Sequence, residues 1–405
     1  MRNKEVTIIG AGLAGSEAAL LLAKYGFKVD LYDQKLIGTT SAYEMKSYAE
    51  LVCNNSLGPI APSTPLGLLR CELEYLNSEL VQIANKCRVS DERYFAVDKT
   101  EFSLSVTEAL VDSGVKINEK IVDSIPTNRP LIIATGPLSN HKLMADIAER
   151  FQINNYHFAD ACSPIVDISS IDTRNKCYKK ISEDLYAVAI PNESFNKFKA
   201  EIAKAQIYIS HIEESHIITY EKCQSIESLA KRGDECISMR FCHPYCEGNQ
   251  PCLLLRRESA LKKAFILVGC MTMMRHSEQK RVFSMLPGFE NCKFIKYGRM
   301  HSNTFFDSPK FLNNFYKVKT DDVYVIGQIS GVDGYLPAIS SGFVAAYHLI
   351  KNNASQVFPT NSMIGALANY VSNPKVVDFQ PMCASFELMS STKENYQSVL
   401  AEYRL

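Results

Sequence analysis

The chain begins with an apolar run, Val6-Thr-Ile-Ile9, that passes directly into Gly10-Ala-Gly12-Leu-Ala-Gly15. Ser16 to Tyr25 follows without Gly or Pro, and Ala14, Ala18, Leu21, Leu22 and Tyr25 fall at helical spacing. Gly26 stops that pattern, and Phe27 to Asp33 reads as a second strand. Strand, tight turn, helix and strand in this order give the three glycines a purpose. One makes the turn, one admits a pyrophosphate to the backbone, and one lets the helix lie close to the sheet. The free N–H groups of Gly10, Ala11, Gly12, Leu13, Ala14 and Gly15 then face an anion at a helix N-terminus. Asp33, about twenty residues on, stands where an acid meets a ribose hydroxyl. This one stretch commits the chain to a Rossmann-like α/β fold with a dinucleotide in it.

The remaining chain of 405 residues is long enough for two or three domains. Pro130-Leu-Ile-Ile-Ala-Thr135-Gly136 and Val323-Tyr-Val-Ile-Gly327 are two more apolar strands that end on glycine. The last leads into Gln328, Gly331, Gly334 and a helix from about Ser341 to Lys351 that contains Gly342. Two glycine loops far apart in sequence, both facing one ligand, suit FAD better than NAD. Between them, residues 151–264 are charged and built of short strands, without a strand–helix rhythm. The expected layout is a discontinuous FAD-binding domain (1–150 and 265–360), an inserted α+β domain (151–264) and a C-terminal segment (361–405) packed on the FAD domain. Local expectations include helices over Tyr43–Leu51 and Leu66–Lys86, and Asp98 as N-cap of a helix to Leu110.

Net charge is zero, so any nucleic acid must be met by a local basic patch. Clusters at 176–180, 197–204, Lys231-Arg232, Arg256-Arg257 and Lys262-Lys263 read singly as solvated surface and together mark the insertion as the polyanion-facing side. No run approaches a membrane span. The first residues read as a strand and not as a secretion signal, which suggests a cytoplasmic protein whose thirteen cysteines are thiols. Cys236, Cys242, Cys246, Cys252 and His243 lack the paired spacing of a zinc site, so no metal is expected. Cys53 follows a helix-like stretch and Cys223 lies at a strand-to-helix transition. On chemistry alone each is either an activated thiol or a small buried apolar group. His301 is either a ligand-facing polar group or a satisfied buried histidine.

The motifs together resemble a family. Ile9 to Ala18, Ala49-Glu-Leu-Val-Cys-Asn-Asn-Ser-Leu57, Ala96-Val-Asp98 and Ile133 to Leu138 are similar to the folate- and FAD-dependent tRNA (uracil-5-)-methyltransferases. So are Glu221-Lys-Cys-Gln-Ser-Ile-Glu227, Glu278 to Phe283, Tyr297 to Phe305, Gly327 to Tyr335 and Phe379-Gln-Pro-Met382. The resemblance implies that 5,10-methylenetetrahydrofolate supplies the carbon of 5-methyluridine in the tRNA T-loop, that FAD carries it, and that NAD(P)H supplies electrons. It also implies that Cys223 attacks uracil C6, that Cys53 works beside the flavin, and that Tyr335 lies near the isoalloxazine. The chain departs from the family at Gly58, near Tyr178–Asp184, at Phe241–Tyr245 and near Met273–His276. Several departures fall in or beside the insertion, where RNA should bind. A uridine of 23S rRNA is therefore the alternative target. A flavin-dependent oxidoreductase acting on a small substrate is the alternative of a different class, and a subunit of a wobble-uridine-modifying complex is a third.

Overall fold

The computed structural model describes residues 4–37, 45–52, 54–89, 93–161, 163–207, 224–246, 248, 250–258, 263–298, 300–352, 355–391 and 395–405, with backbone alone at 155–161 and 300–302. The first unit runs β1 (Glu5–Ile9), α1 (Leu13–Lys24), β2 (Lys28–Asp33), β3 (Ser56–Pro59), α2 (Pro65–Tyr75), α3 (Glu79–Lys86), β4 (Tyr94–Ala96), α4 (Lys99–Asp112), β5 (Lys116–Glu119), β6 (Leu131–Ile133) and α5 (His141–Phe151). The middle of the chain supplies β7 (Asn155–Ala161), β8 (Ile165–Asp167), β9 (Tyr178–Ser182), β10 (Leu185–Ala189), α6 (Asn192–Lys204), α7 (Ile226–Arg232), α8 (Asp234–Ser238), β11 (Cys252–Arg257), β12 (Ala264–Leu267), α9 (His276–Phe283), β13 (Phe294–Lys296) and β14 (Met300–Phe306). The chain closes with β15 (Val323–Val325), α10 (Tyr335–Lys351), α11 (Met363–Tyr370) and α12 (Tyr396–Val399).

The first sheet has the order β15-β6-β1-β2-β5, and its pairs are parallel. Most buried positions of its inner strands, among them Val6, Ile8, Ile9, Val29, Leu31 and Leu131 to Ile133, are apolar because helices cover both faces, as a parallel sheet requires. α1 and α10 share one face, and α5 packs on the other through Leu143, Met144 and Ile147. β15, late in the chain, lies directly beside β6, with Val323 opposite Leu131. Both glycine loops therefore leave neighbouring strands at one sheet edge.

Local signals decide most element ends. Asp98 Oδ1 accepts the N–H groups of Thr100 and Glu101 and starts α4. The expected helix over 66–86 is two helices. Asn77 takes a left-handed conformation (φ 62°) and Ser78 caps α3 through the Val81 N–H, so the chain turns where apolar spacing alone runs on. Residues 46–49 form bends and not the expected helix. A buried ion pair between Lys35 and Glu50 holds them, and Glu50 also accepts the Met45 N–H.

The second sheet is antiparallel, in the order β13-β8-β12-β11-β10-β9, over a core that includes Val188, Phe198, Leu253, Phe265 and Phe283. Here the expected boundary is corrected. Ala264–Leu267 does not return to the first sheet; as β12 it pairs with β11 and β8. Four buried apolar residues look the same in either sheet, so hydrophobicity cannot assign the strand. The insertion extends to the ribbon of β7 and β14, where the chain leaves and re-enters the first unit. Cys246 and Cys252 are joined in a disulfide, which corrects the reading of thirteen thiols. The two Cα atoms are 5.8 Å apart.

The C-terminal segment lies on the first unit. Both Glu72 oxygens accept from the α11 N-terminus, Met363 N–H at 2.8 Å and Ile364 N–H at 2.9 Å. Glu17 makes the same arrangement with Glu79 and Leu80 at the start of α3. Burial raises both carboxyls to about 7. Among the described residues no helix is long and apolar enough to cross a membrane.

Candidate functional site

A cavity of about 590 Å³ lies between the first sheet's glycine loops and the second sheet. Gly10, Ala11, Gly12, Leu13 and Ala14 form one wall, with Asp33, Thr135 and Gly136 beside them. Gly327, Gln328, Gly334 and Tyr335 form a second wall. The sheet order explains this meeting: β1, β6 and β15 are adjacent, so the loops at their C-terminal ends converge.

The glycines divide by what surrounds them. A Cβ added at Gly12 or Gly136 would meet no atom within 4 Å, so the space there is open to a ligand. A Cβ at Gly15 would sit 1.9 Å from Gly10 O, and one at Gly342 would sit 2.2 Å from Ala14 O. Those two glycines let α1 approach β1 and α10 approach α1. Gly331 (φ +88°) faces the Phe379 ring, 2.2 Å from an added Cβ. Gly15, Gly331 and Gly342 are thus not among the residues lining the cavity. A motif announces that glycine is needed and does not say which neighbour requires it.

Two helix N-termini reach the cavity, those of α1 and α10. Their caps, Gly12 and Gly334, make no side-chain capping bond. Helix N–H groups with open space in front fit the pyrophosphate of a dinucleotide. Asp33 sits at the end of β2 as expected, and its oxygens accept the N–H groups of Ala11 (2.6 Å) and Lys35 (2.7 Å). The carboxylate therefore holds the glycine turn in shape while lining the cavity.

The third wall carries the thiol-bearing loop. Cys53 itself lies outside the described residues, but its neighbours Val52 and Asn54 line the cavity. Asn54 N–H donates to Tyr335 Oη at 3.1 Å. Ala49 N–H donates to Ala11 O at 2.9 Å. Lys35 Nζ binds Glu50 and the Ser47 carbonyl, so its charge is neutralised beside Asp33.

Cys223 also lies outside the described residues, together with the rest of 208–223. The chain re-enters at Gln224, which is buried, and Ser225, which caps α7. Ile226 N–H donates to Met271 O at 2.8 Å, and Met271 lines the cavity. Buried Glu227 accepts from Thr272 and Met273 and fixes the same segment. His301 is in β14 opposite Asp160; its side chain is outside the description. Among the described thiols, burial pushes Cys71, Cys87, Cys270 and Cys292 upward, Cys292 to about 12, which removes them as nucleophiles at neutral pH. Burial also lowers the His243 imidazole.

The fourth wall comes from the insertion: Arg240, Arg256, Ile266, Val268, Gly269 and Met271. Reading Arg256-Arg257 as solvated surface is corrected. Arg256 is 6% exposed and stands over the Tyr94 ring at 5.2 Å, and Arg257 pairs with Asp184 at 3.0 Å. The sequence carries no signal for this, because Cys252 to Arg256 are all buried and β11 shows no alternation. Within two other basic clusters, Lys180 pairs with Glu183, Lys197 with Glu193 and Lys199 with Asp234. Lys35, Glu50, Asn54, Tyr94 and Asn303 were not singled out by sequence, since only the fold brings them to the cavity.

The family model described as glucose inhibited division protein A matches residues 5–356. A Lactobacillus gasseri protein named methylenetetrahydrofolate–tRNA-(uracil-5-)-methyltransferase TrmFO is 37% identical over 404 residues, covering 95% of this chain and 92% of that protein. A Fusobacterium nucleatum protein of the same name is 36% identical over 420 residues, covering 99% and 96%. Among solved structures, Aquifex aeolicus GidA in its form I crystal matches with a TM-score of 0.72 at 16% identity, covering 98% of this chain and 75% of that one. The last match speaks for the fold alone.

Proposed function

The chain belongs to the glucose inhibited division protein A family and, within it, to the methylenetetrahydrofolate–tRNA-(uracil-5-)-methyltransferases, and from that premise we infer that it forms 5-methyluridine in the tRNA T-loop. It is a folate- and FAD-dependent methyltransferase of RNA. The observation that carries the reading is the meeting of both glycine loops with the Val52–Asn54 loop and Tyr335 in one cavity.

FAD, when bound, supplies a carbon carrier and a reductant at this site. The proposed holding residues are Gly10 to Ala14 for the pyrophosphate, Asp33 for the ribose, and Thr135, Gly136, Gly327, Gln328 and Gly334 along the rest of the molecule. Gly15, Gly331 and Gly342 support it through packing. NAD(P)H is the proposed source of electrons.

The chemistry needs a thiol because uracil C5 is a poor nucleophile. In the proposed mechanism the Cys223 thiolate adds to C6 and makes C5 carbanion-like. C5 takes the one-carbon unit as a methylene, which parts from its carrier as C5 loses its proton; a hydride whose electrons come from NAD(P)H then reduces that methylene to methyl while the C6–S bond breaks and returns the thiolate. Cys53 is the proposed group that handles the carbon unit or the C5 proton beside the flavin. Tyr335 orients that loop by accepting the Asn54 N–H. The target base must leave its stack to reach such a cavity, at a cost of a few kcal/mol. Arg240 and Arg256 give the insertion side of the cavity positive potential toward the negative charge on the pyrimidine.

A uridine of 23S rRNA is the second reading. It is favoured by this chain's own Phe241-Cys-His-Pro-Tyr245 segment, which departs from the family pattern next to Arg240. Mass spectrometry of tRNA and 23S rRNA from cells lacking the gene separates the two. Loss of 5-methyluridine from tRNA supports the first; its loss from rRNA with tRNA unchanged overturns it.

A further inference from the structure

Beyond the cavity loop lies Asn55, which is fully buried. Its Nδ2 donates to Val97 O at 3.1 Å and to Arg257 O at 2.9 Å. Val97 N–H donates back to Asn55 O at 2.9 Å. Two carbonyl acceptors demand the NH₂ end of the amide, so its orientation is determined. Val97 belongs to the first unit, just past β4, and Arg257 ends β11 of the inserted sheet. One carboxamide thus ties the loop that carries Val52 and Asn54 to both units.

The same line of contact holds three further bridges. Arg256 covers the Tyr94 ring, Arg93 covers the Tyr245 ring at 4.4 Å, and Lys99 pairs with Glu258 at 2.8 Å. Of these residues, Tyr94 and Arg256 line the cavity. Asn55 differs from the other bridges because it is continuous with the cavity loop. It sets the distance between that loop and the wall that carries Arg256.

We propose that Asn55 is a positioning residue for methyl transfer, holding the cavity loop in register with the inserted sheet. The proposal rests on the methyltransferase reading. A displacement of about 1 Å at a reacting geometry can cost 10²-fold in rate. Losing the clamp therefore lowers kcat and leaves the binding of RNA largely intact.

The test uses FAD-loaded full-length protein, a tRNA transcript, methylenetetrahydrofolate and NADPH. Asn55→Asp keeps the shape and removes both donors; Asn55→Ser is the second variant, smaller and uncharged. The Lys99→Met/Glu258→Met double variant removes a neighbouring bridge without touching the loop, a replacement that is often neutral for a buried pair. Expected is a fall in kcat of about 10-fold or more in both Asn55 variants, with KM for tRNA within about twofold. Their visible flavin spectrum shifts, and the double variant keeps wild-type kcat and spectrum. Wild-type kcat in both Asn55 variants, a change in KM alone, or an equal loss in the double variant overturns the proposal. So does loss of FAD from both Asn55 variants while the double variant retains it, since Asn55 would then serve the fold only. If the wild-type protein transfers no methyl group to the transcript, the tRNA reading fails instead. The Asn55 spectra then still report the loop, with unshifted spectra counting against the clamp.

Discussion

The Asn54 backbone N–H donates to the Tyr335 hydroxyl at 3.1 Å, across 281 residues of sequence. Through this bond the start of α10 holds the loop on which Cys53 is carried. Tyr335→Phe keeps the ring and removes the acceptor, leaving a half-buried N–H to water or to no partner. The variant should lose about 1 kcal/mol of stability and a larger share of methyl transfer. Thermal melts beside single-turnover rates check this; an unchanged rate would show that the loop does not need Tyr335.

The glycine turn gives a paired prediction. Gly12→Ala adds a methyl group where no protein atom lies within 4 Å, so the apo protein should melt normally and bind FAD weakly. Gly15→Ala sets a methyl group 1.9 Å from Gly10 O, so the apo protein itself should be destabilised, by about 1–3 kcal/mol. Melting curves with and without FAD distinguish the two. Equal behaviour would mean that the open space at Gly12 is not a ligand's space.

How much of this was legible in sequence depends on range. The first strand, turn, helix and strand were, because adjacent residues specify them. Asp98 as an N-cap was legible for the same reason. The place of β15 beside β6, the inward face of Arg256 and the packing duty of Gly342 were not, since each is decided by a residue far away in the chain. The break at Asn77 was missed because apolar spacing continues through it. Composition left Cys53 and Cys223 ambiguous, and family resemblance alone singled them out.

The two buried carboxylates make stability depend on pH. Burial raises Glu17 and Glu72 from 4.5 to about 7 in the folded state, despite the N–H groups that each accepts. Between those values the native protein holds protons that the unfolded chain has released. Their contribution is therefore fully present below pH 4.5 and is lost as pH rises to about 7. Glu72→Gln removes one titrating group. The stability advantage of wild type over this variant should shrink as pH rises through that window in denaturant titrations; an advantage that grows with pH would contradict the assignment.

The central claim is that a carbon unit passes from folate to a uridine, with the Cys223 thiolate bonded to the base. The most direct measurement follows radiolabel from methylenetetrahydrofolate into a tRNA transcript, using FAD-loaded wild type and Cys223→Ala. Wild type should place label in 5-methyluridine, and Cys223→Ala should place none while retaining its FAD. Wild-type transfer by Cys223→Ala, or flavin turnover by the wild-type enzyme with no label in any RNA, would contradict the account.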